Sequence, residues 1–163
     1  MWGDFLLFLR WWSFIFLLGI IFMPFVAELF SSFFDGGYLF SKVIGITCTS
    51  YILWLLSSMK ILPFTRGAIF LVLGCAFVLI YFVFKGYRRV VPILRETKHA
   101  LIAEEAMFFA AMLFWSYVRA MRPDIYGLEK YMDFGFVQSI LRARYMPPAD
   151  IWYAGESINY YYF

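Results

Sequence analysis

Charge is scarce in this 163-residue chain. Only 15% of its residues are Asp, Glu, Lys or Arg, and 64% are hydrophobic. Soluble domains hold nearer 45–50% apolar residues, and a single domain of this size could not hide so much apolar surface from water. Lipid is the solvent that fits a mean hydropathy of +0.76. The net charge of +3 is small, and the basic residues do not alternate with aromatics along a polar element, so no nucleic-acid partner is expected. Cysteine is nearly absent. Cys48 and Cys75 lie in separate apolar runs and are expected to be buried thiols, which excludes a disulfide scaffold and a cysteine metal site. The chain also lacks a Walker loop, GxGxxG, HExxH, CxxC and GxSxG, and with them the chemistries these motifs support. No internal repeat, low-complexity tract or soluble domain is evident. No small-residue cleavage site follows the first apolar stretch, so that stretch is expected to stay as a membrane anchor.

What the chain has is long hydrophobic runs. A spanning helix needs about 20 apolar residues, because about 30 Å of hydrocarbon is crossed at about 1.5 Å per residue. Four stretches qualify: residues 5–27, 39–59, 64–84 and 101–121. The first holds Arg10 and is expected to bend at Pro24. The third is the most apolar: between Ala68 and Phe84 twelve residues are Leu, Ile, Val or Phe and none is charged. Those twelve favour insertion by roughly 4–7 kcal/mol. The fourth carries Glu104, Glu105 and Arg119 near its ends, where long side chains reach the interface and where the helix dipole favours acids in the first turns. A proton relay would need ionisable groups nearer the middle of a span. The expected fold is therefore all-α, a polytopic membrane protein with about four transmembrane helices, residues 1–121, followed by an extracytoplasmic loop with an interfacial helix, residues 122–163.

Direction follows from the loops. Residues 85–99 carry Lys85, Arg88, Arg89, Arg95 and Lys98 against Glu96 alone, five basic residues to one acid for a net +4. The positive-inside bias places this loop in the cytoplasm. Residues 122–163 hold four basic residues and five acids, a net −1, as suits an extracytoplasmic segment. A multi-pass protein of the cell membrane is expected, with the bilayer as its first partner. Asp35-Gly36-Gly37 marks a turn between the first two spans.

The tail is built differently. Arg122-Pro123-Asp124 ends the fourth helix. A helical pattern returns from about residue 128 to 145, with Tyr131, Phe134, Leu141 and Tyr145 at helical spacing and Met132, Phe136 and Ile140 widening the face. Lys130, Asp133, Gln138, Ser139, Arg142 and Arg144 make it too polar to span and suited to the membrane interface. Glu129 and Asp133, four residues apart, share a helix face. Two such carboxylates could bind a divalent cation, the one cofactor candidate here, or serve as a general base. The spacing by itself favours a plainer role, dipole-favoured acids at a helix start with Lys130 pairing Asp133. Trp and Tyr crowd residues 150–163, either as an aromatic belt leading into a further span or as a sugar- or lipid-binding edge.

Glu129-Lys130-Tyr131-Met132-Asp133-Phe134, Pro147-Pro148-x-Asp150-x-Trp152, Ala154-Gly155 and Ile158-Asn159-Tyr160-Tyr161-Tyr162-Phe163 resemble the YYY family, large multi-spanning membrane proteins of bacteria, Chloroflexi among them, and archaea. Asp35-Gly36-Gly37-Tyr38 and Leu62-Pro63-Phe64 resemble it too. Glu156 stands where the family tends to a small residue. The resemblance implies an amino-terminal fragment of a longer protein, ending where another span would follow. It further implies kinship with the C-type membrane glycosyltransferases, which use polyprenyl-phosphate sugar donors and keep a catalytic acid in the first external loop. On that resemblance Asp133 is the first candidate acid and Glu129 the second. Arg142 and Arg144 would neutralise the donor phosphate, and Asp150, Trp152, Tyr160 and Tyr161 would bind substrate. The alternatives are a transporter or channel subunit, which would need ionisable residues deep in its spans, and a non-catalytic membrane scaffold.

Overall fold

The computed structural model describes residues 2–83, 85–127 and 130–159. The protein is all-α: the described residues form helices α1 (Trp2–Leu29), α2 (Tyr38–Ser58), α3 (Arg66–Phe77), α4 (Tyr87–Glu96), α5 (Lys98–Ala120) and α6 (Lys130–Arg142). A π-helical segment, Val78–Val83, continues α3. Four stretches are long and apolar enough to cross a membrane: Gly3–Leu29, Tyr38–Ser58, Arg66–Val83 and Lys98–Ala120. Most of their large apolar side chains are exposed, among them Leu6, Phe70, Phe82 and Met107, as expected where lipid replaces water. α1 runs unbroken through Pro24.

The chain packs as two units. The first comprises residues 1–48 and 73–122. Here α1 meets the start of α2 through small residues. A Cβ at Gly19 would stand 3.1 Å from the Lys42 Cγ and one at Gly45 would stand 3.2 Å from the Leu18 carbonyl oxygen, the close approach that small residues allow between membrane helices. The turn joining these helices needs its glycines: Gly36 and Gly37 have φ of 64° and 73°, conformations costly with a Cβ. Asp35 then caps α2, its carboxylate accepting from the backbone N–H groups of Gly37 (3.2 Å) and Tyr38 (2.9 Å). Met23, Tyr38, Val90 and Leu101 form a buried cluster with Ile93 against it.

Residues 87–96 are a departure from the sequence reading, which treats 85–99 as a loop. They form α4, an amphipathic helix with Val90 buried and Arg88, Arg89 and Arg95 exposed. Arg89 pairs with Glu28. The cysteines also differ from expectation: both are free, but Cys48 is only half-buried and Cys75 is exposed, on a helix face that nothing in the unit covers.

The second unit comprises residues 49–72 and 123–163. Leu53, Ala68 and Val72 are its core, with Leu56, Leu62, Phe64 and Ile69 packed around them. Thr65 caps α3 by accepting from the Ala68 N–H at 3.3 Å. The tail is tied to the α2–α3 turn at two points. The Phe64 N–H donates to the Arg144 carbonyl at 2.7 Å, and the Met146 N–H donates to the Ser57 hydroxyl at 3.1 Å. Met146, Pro148 and Ser57 are fully buried there.

Candidate functional site

In the second unit α6 carries the acid that the sequence singles out. Its buried face is Gly135, Phe136 and Ser139. Tyr131, Phe134, Val137 and Leu141 are exposed. The apolar positions of the sequence pattern thus divide: Phe136 faces inward, and Tyr131, Phe134 and Leu141 make an outward stripe. Asp133 is exposed and makes no hydrogen bond or ion pair among the described residues, with Lys130 or otherwise. Glu129, Tyr160 and Tyr161 lie outside the described residues.

The segment after α6 folds back on it. The Ser139 hydroxyl donates to the Ala149 carbonyl, and Phe136 meets Trp152 edge to face at 5.5 Å between centroids. Asp150 holds this loop's shape. One carboxylate oxygen accepts from the N–H groups of Trp152 (2.8 Å) and Tyr153 (3.0 Å), an Asx turn. Its own N–H donates to the Glu156 carbonyl at 2.9 Å. A pocket of about 350 Å³ opens between helix and loop, walled by Met132, Phe136, Asp150, Trp152, Ile158 and Asn159. Asp150 and Trp152 therefore come together, whereas Asp133, Arg142 and Arg144 are not among its described walls. Arg144 and Lys60 instead flank the Tyr145 ring, at 5.7 and 5.4 Å from its centroid. Among the described residues no three His, Cys, Asp or Glu side chains are placed to share a metal ion.

The first unit contains a polar cluster that the sequence reading overlooks. Glu105, seven residues into α5, lies about 10 Å along that helix from Lys98. It does not snorkel. One oxygen accepts from the Trp12 indole N–H at 2.8 Å. The other accepts from the Tyr38 hydroxyl at 2.6 Å and pairs with the Lys42 ammonium at 2.7 Å. The side chains of Lys42 and Glu105 are 3% and 15% exposed, so this is a buried ion pair. Lys42 also lies over the Tyr38 and Phe108 rings, at 3.9 and 5.1 Å. The neighbouring Glu104 carboxyl faces that of Asp35. A signal was present in the sequence: Lys42 in one apolar run and Glu105 in another are opposite charges that lipid would force together.

A larger cavity, about 810 Å³, lies beside this cluster between α1, the π-helical segment, α4 and α5, with Trp12, Tyr81, Leu94 and Lys98 in its walls.

These helices and their lipid-facing surfaces define an integral, multi-pass α-helical membrane protein. Residues 48–163, well over half of the chain, match the family described as "Uncharacterized membrane protein (DUF2298)", and the chain belongs to that family. No curated protein and no solved structure matches it.

Proposed function

We propose that the protein is part of a membrane glycosyltransferase of the C-type kind, transferring a sugar from a polyprenyl-phosphate donor outside the cytoplasm. The observation that carries this is α6. It presents Asp133, exposed and unpaired among the described residues, on a helix whose outward stripe of Tyr131, Phe134 and Leu141 suits the membrane interface where a lipid-linked donor resides. The aromatic, amide-bearing pocket of Trp152 and Asn159 next to that helix is of the kind that sugar rings occupy. The likeness of the tail to the YYY family supports the same view, and with it a longer native chain that completes the donor groove.

In this scheme an acceptor hydroxyl attacks the anomeric carbon, the bond from that carbon to the phosphate oxygen breaks, and polyprenyl phosphate leaves. Asp133 takes or orients the hydroxyl proton, with Glu129 as the second candidate. Arg142 and Arg144, both exposed, balance the phosphate charge. Asp150 positions rather than reacts, because its carboxylate holds the loop that carries Trp152. Substituting Asp133→Asn in the full-length protein should abolish transfer while expression and folding stay unchanged. Undiminished transfer would remove Asp133 from the mechanism.

The buried Lys42–Glu105 pair favours a second reading, a transporter or channel subunit, since intramembrane charges often line ion paths. Glu105 is already met by three partners, which suits a structural tie better than a coordination site. Ion flux through liposomes holding the full-length protein, lost on Glu105→Gln, would reverse that ranking.

A further inference from the structure

The 810 Å³ cavity of the first unit is within the roughly 300–1,000 Å³ usual for ligand sites, and its walls restrict what it can hold. Four polar side chains in those walls, Trp12, Tyr38, Tyr81 and Glu105, are already engaged by the protein. The Trp12 indole N–H and the Tyr38 hydroxyl are spent on Glu105. Both Glu105 oxygens are taken, one of them also by Lys42. The Tyr81 hydroxyl donates to the Ile20 carbonyl at 2.6 Å. A polar solute would find few free donors or acceptors there, while a hydrocarbon chain asks for none.

The rim is of opposite character. Val91, Leu94 and Ile102 stand on the cavity wall and are 40%, 50% and 66% exposed, so the groove opens sideways toward lipid. Lys98 stands at its mouth. On α4, Arg88 and Arg95 fall three residues before and four after Val91, which places them on the two turns beside that lining residue. Arg88, Arg95 and Lys98 are exposed and pair with no acid among the described residues. Arg89, by contrast, is engaged by Glu28. An apolar groove closed at depth by satisfied polar groups and fringed by three unspent cations matches one kind of molecule: an acyl chain with an anionic head.

We propose that the groove between α1, α4 and α5 binds an anionic phospholipid, its acyl chain beside Trp12 and its phosphate at Arg88, Arg95 and Lys98. The proposal is independent of the glycosyltransferase reading and concerns the end of the bundle that bears the basic loop.

Trp12 supplies the test. In the protein with every other tryptophan, Trp2, Trp11, Trp54, Trp115 and Trp152 among them, replaced by Phe, Trp12 fluorescence is measured in vesicles containing chain-brominated phosphatidylglycerol or chain-brominated phosphatidylcholine. The anionic lipid should half-quench at a mole fraction about ten-fold lower than the zwitterionic one. Each of Arg88→Gln, Arg95→Gln and Lys98→Gln should shrink that preference by about two-fold, a third of the ten-fold total on the free-energy scale and within the worth of one basic residue at an anionic surface. Ala106→Phe, which fills the groove without altering charge, should reduce quenching by both lipids. Equal quenching by the two lipids, a preference untouched by the three charge substitutions, or quenching unaffected by Ala106→Phe would each overturn the proposal.

Discussion

Replacing Lys42 by Met should unsettle the first unit far more than the loss of one side chain suggests. The substitution keeps the volume of the stem but removes the only cation facing Glu105 among the described residues. The Glu105 carboxylate, 15% exposed, would then keep only Trp12 and Tyr38 as donors. Breaking one side of a buried ion pair costs about 3–5 kcal/mol, mostly because a charge is left uncompensated. Glu105→Leu should cost a similar amount, since it strands an ammonium that is 3% exposed with little but the Tyr38 and Phe108 ring faces around it. If the two losses were independent they would sum to about 6–10 kcal/mol, twice the single-residue figure. The double variant has no charge left to bury and orphans only the Trp12 indole and the Tyr38 hydroxyl. Polar contacts between membrane helices are worth about 0.6 kcal/mol on average and at most about 1.7, so its cost should be only about 1–3 kcal/mol. The measurement is a double-mutant cycle by reversible detergent denaturation of the purified protein, followed by circular dichroism. Single variants costing less than about 1 kcal/mol, or a double variant equal to their sum within about 0.5 kcal/mol, the tolerance for independent sites, would refute the coupling.

Two glycines should respond to alanine in opposite degree. At Gly86 a Cβ would stand 2.5 Å from the Pro24 Cβ and 2.7 Å from the Ile80 carbonyl oxygen, ring and backbone atoms that cannot swing aside, so Gly86→Ala should destabilise by about 1–3 kcal/mol, as overpacking does. At Gly135 the nearest atom is the end of the flexible Ile151 side chain, and Gly135→Ala should cost less when both variants are compared by the same detergent denaturation. Ser57→Ala would leave the buried Met146 N–H without its acceptor, a loss of about 1–3 kcal/mol. It should loosen the tail first, read as faster proteolysis after residue 144 with helix content unchanged. Protease resistance equal to that of the parent would contradict this role for Ser57.

The all-α membrane fold could be read from the sequence because lipid demands long apolar runs, and composition alone reveals those. The helical pattern after Gly127 was legible for a different reason, as Tyr131, Phe134 and Leu141 repeat at helical spacing in a segment too polar to span, although α6 stops at Arg142 and leaves Tyr145 beyond it. α4 was not legible. Its apolar positions, Val90, Val91, Ile93 and Leu94, are interleaved with arginines and interrupted by Pro92, so charge density masked a ten-residue helix. The ion pair was missed for another reason. Glu105 near a helix start has a plausible escape to the interface, and only the neighbouring helices show that Trp12, Tyr38 and Lys42 hold it inward. Asp35 announced a turn, but not that its carboxyl caps α2 and faces Glu104. In the tail, Asp150 and Trp152 stand out in the sequence only through the family resemblance, as substrate-binding candidates. What sequence could not supply is that Asp150 spends its carboxylate on the loop's own backbone, whereas the Asp133 carboxylate on α6 is unengaged among the described residues.

The proposed chemistry needs α6 outside the cytoplasm, and the sidedness of the tail decides it. Cys48 and Cys75 are replaced by Ser, and a single cysteine is placed at Ala149, which is exposed, or at Glu96 at the end of α4. Intact cells are then treated with a membrane-impermeant maleimide. Labelling at position 149 in intact cells, and at position 96 only after the cells are opened, is the outcome expected. Labelling at 149 only in opened cells would invert the topology and remove the basis for an extracytoplasmic glycosyl transfer.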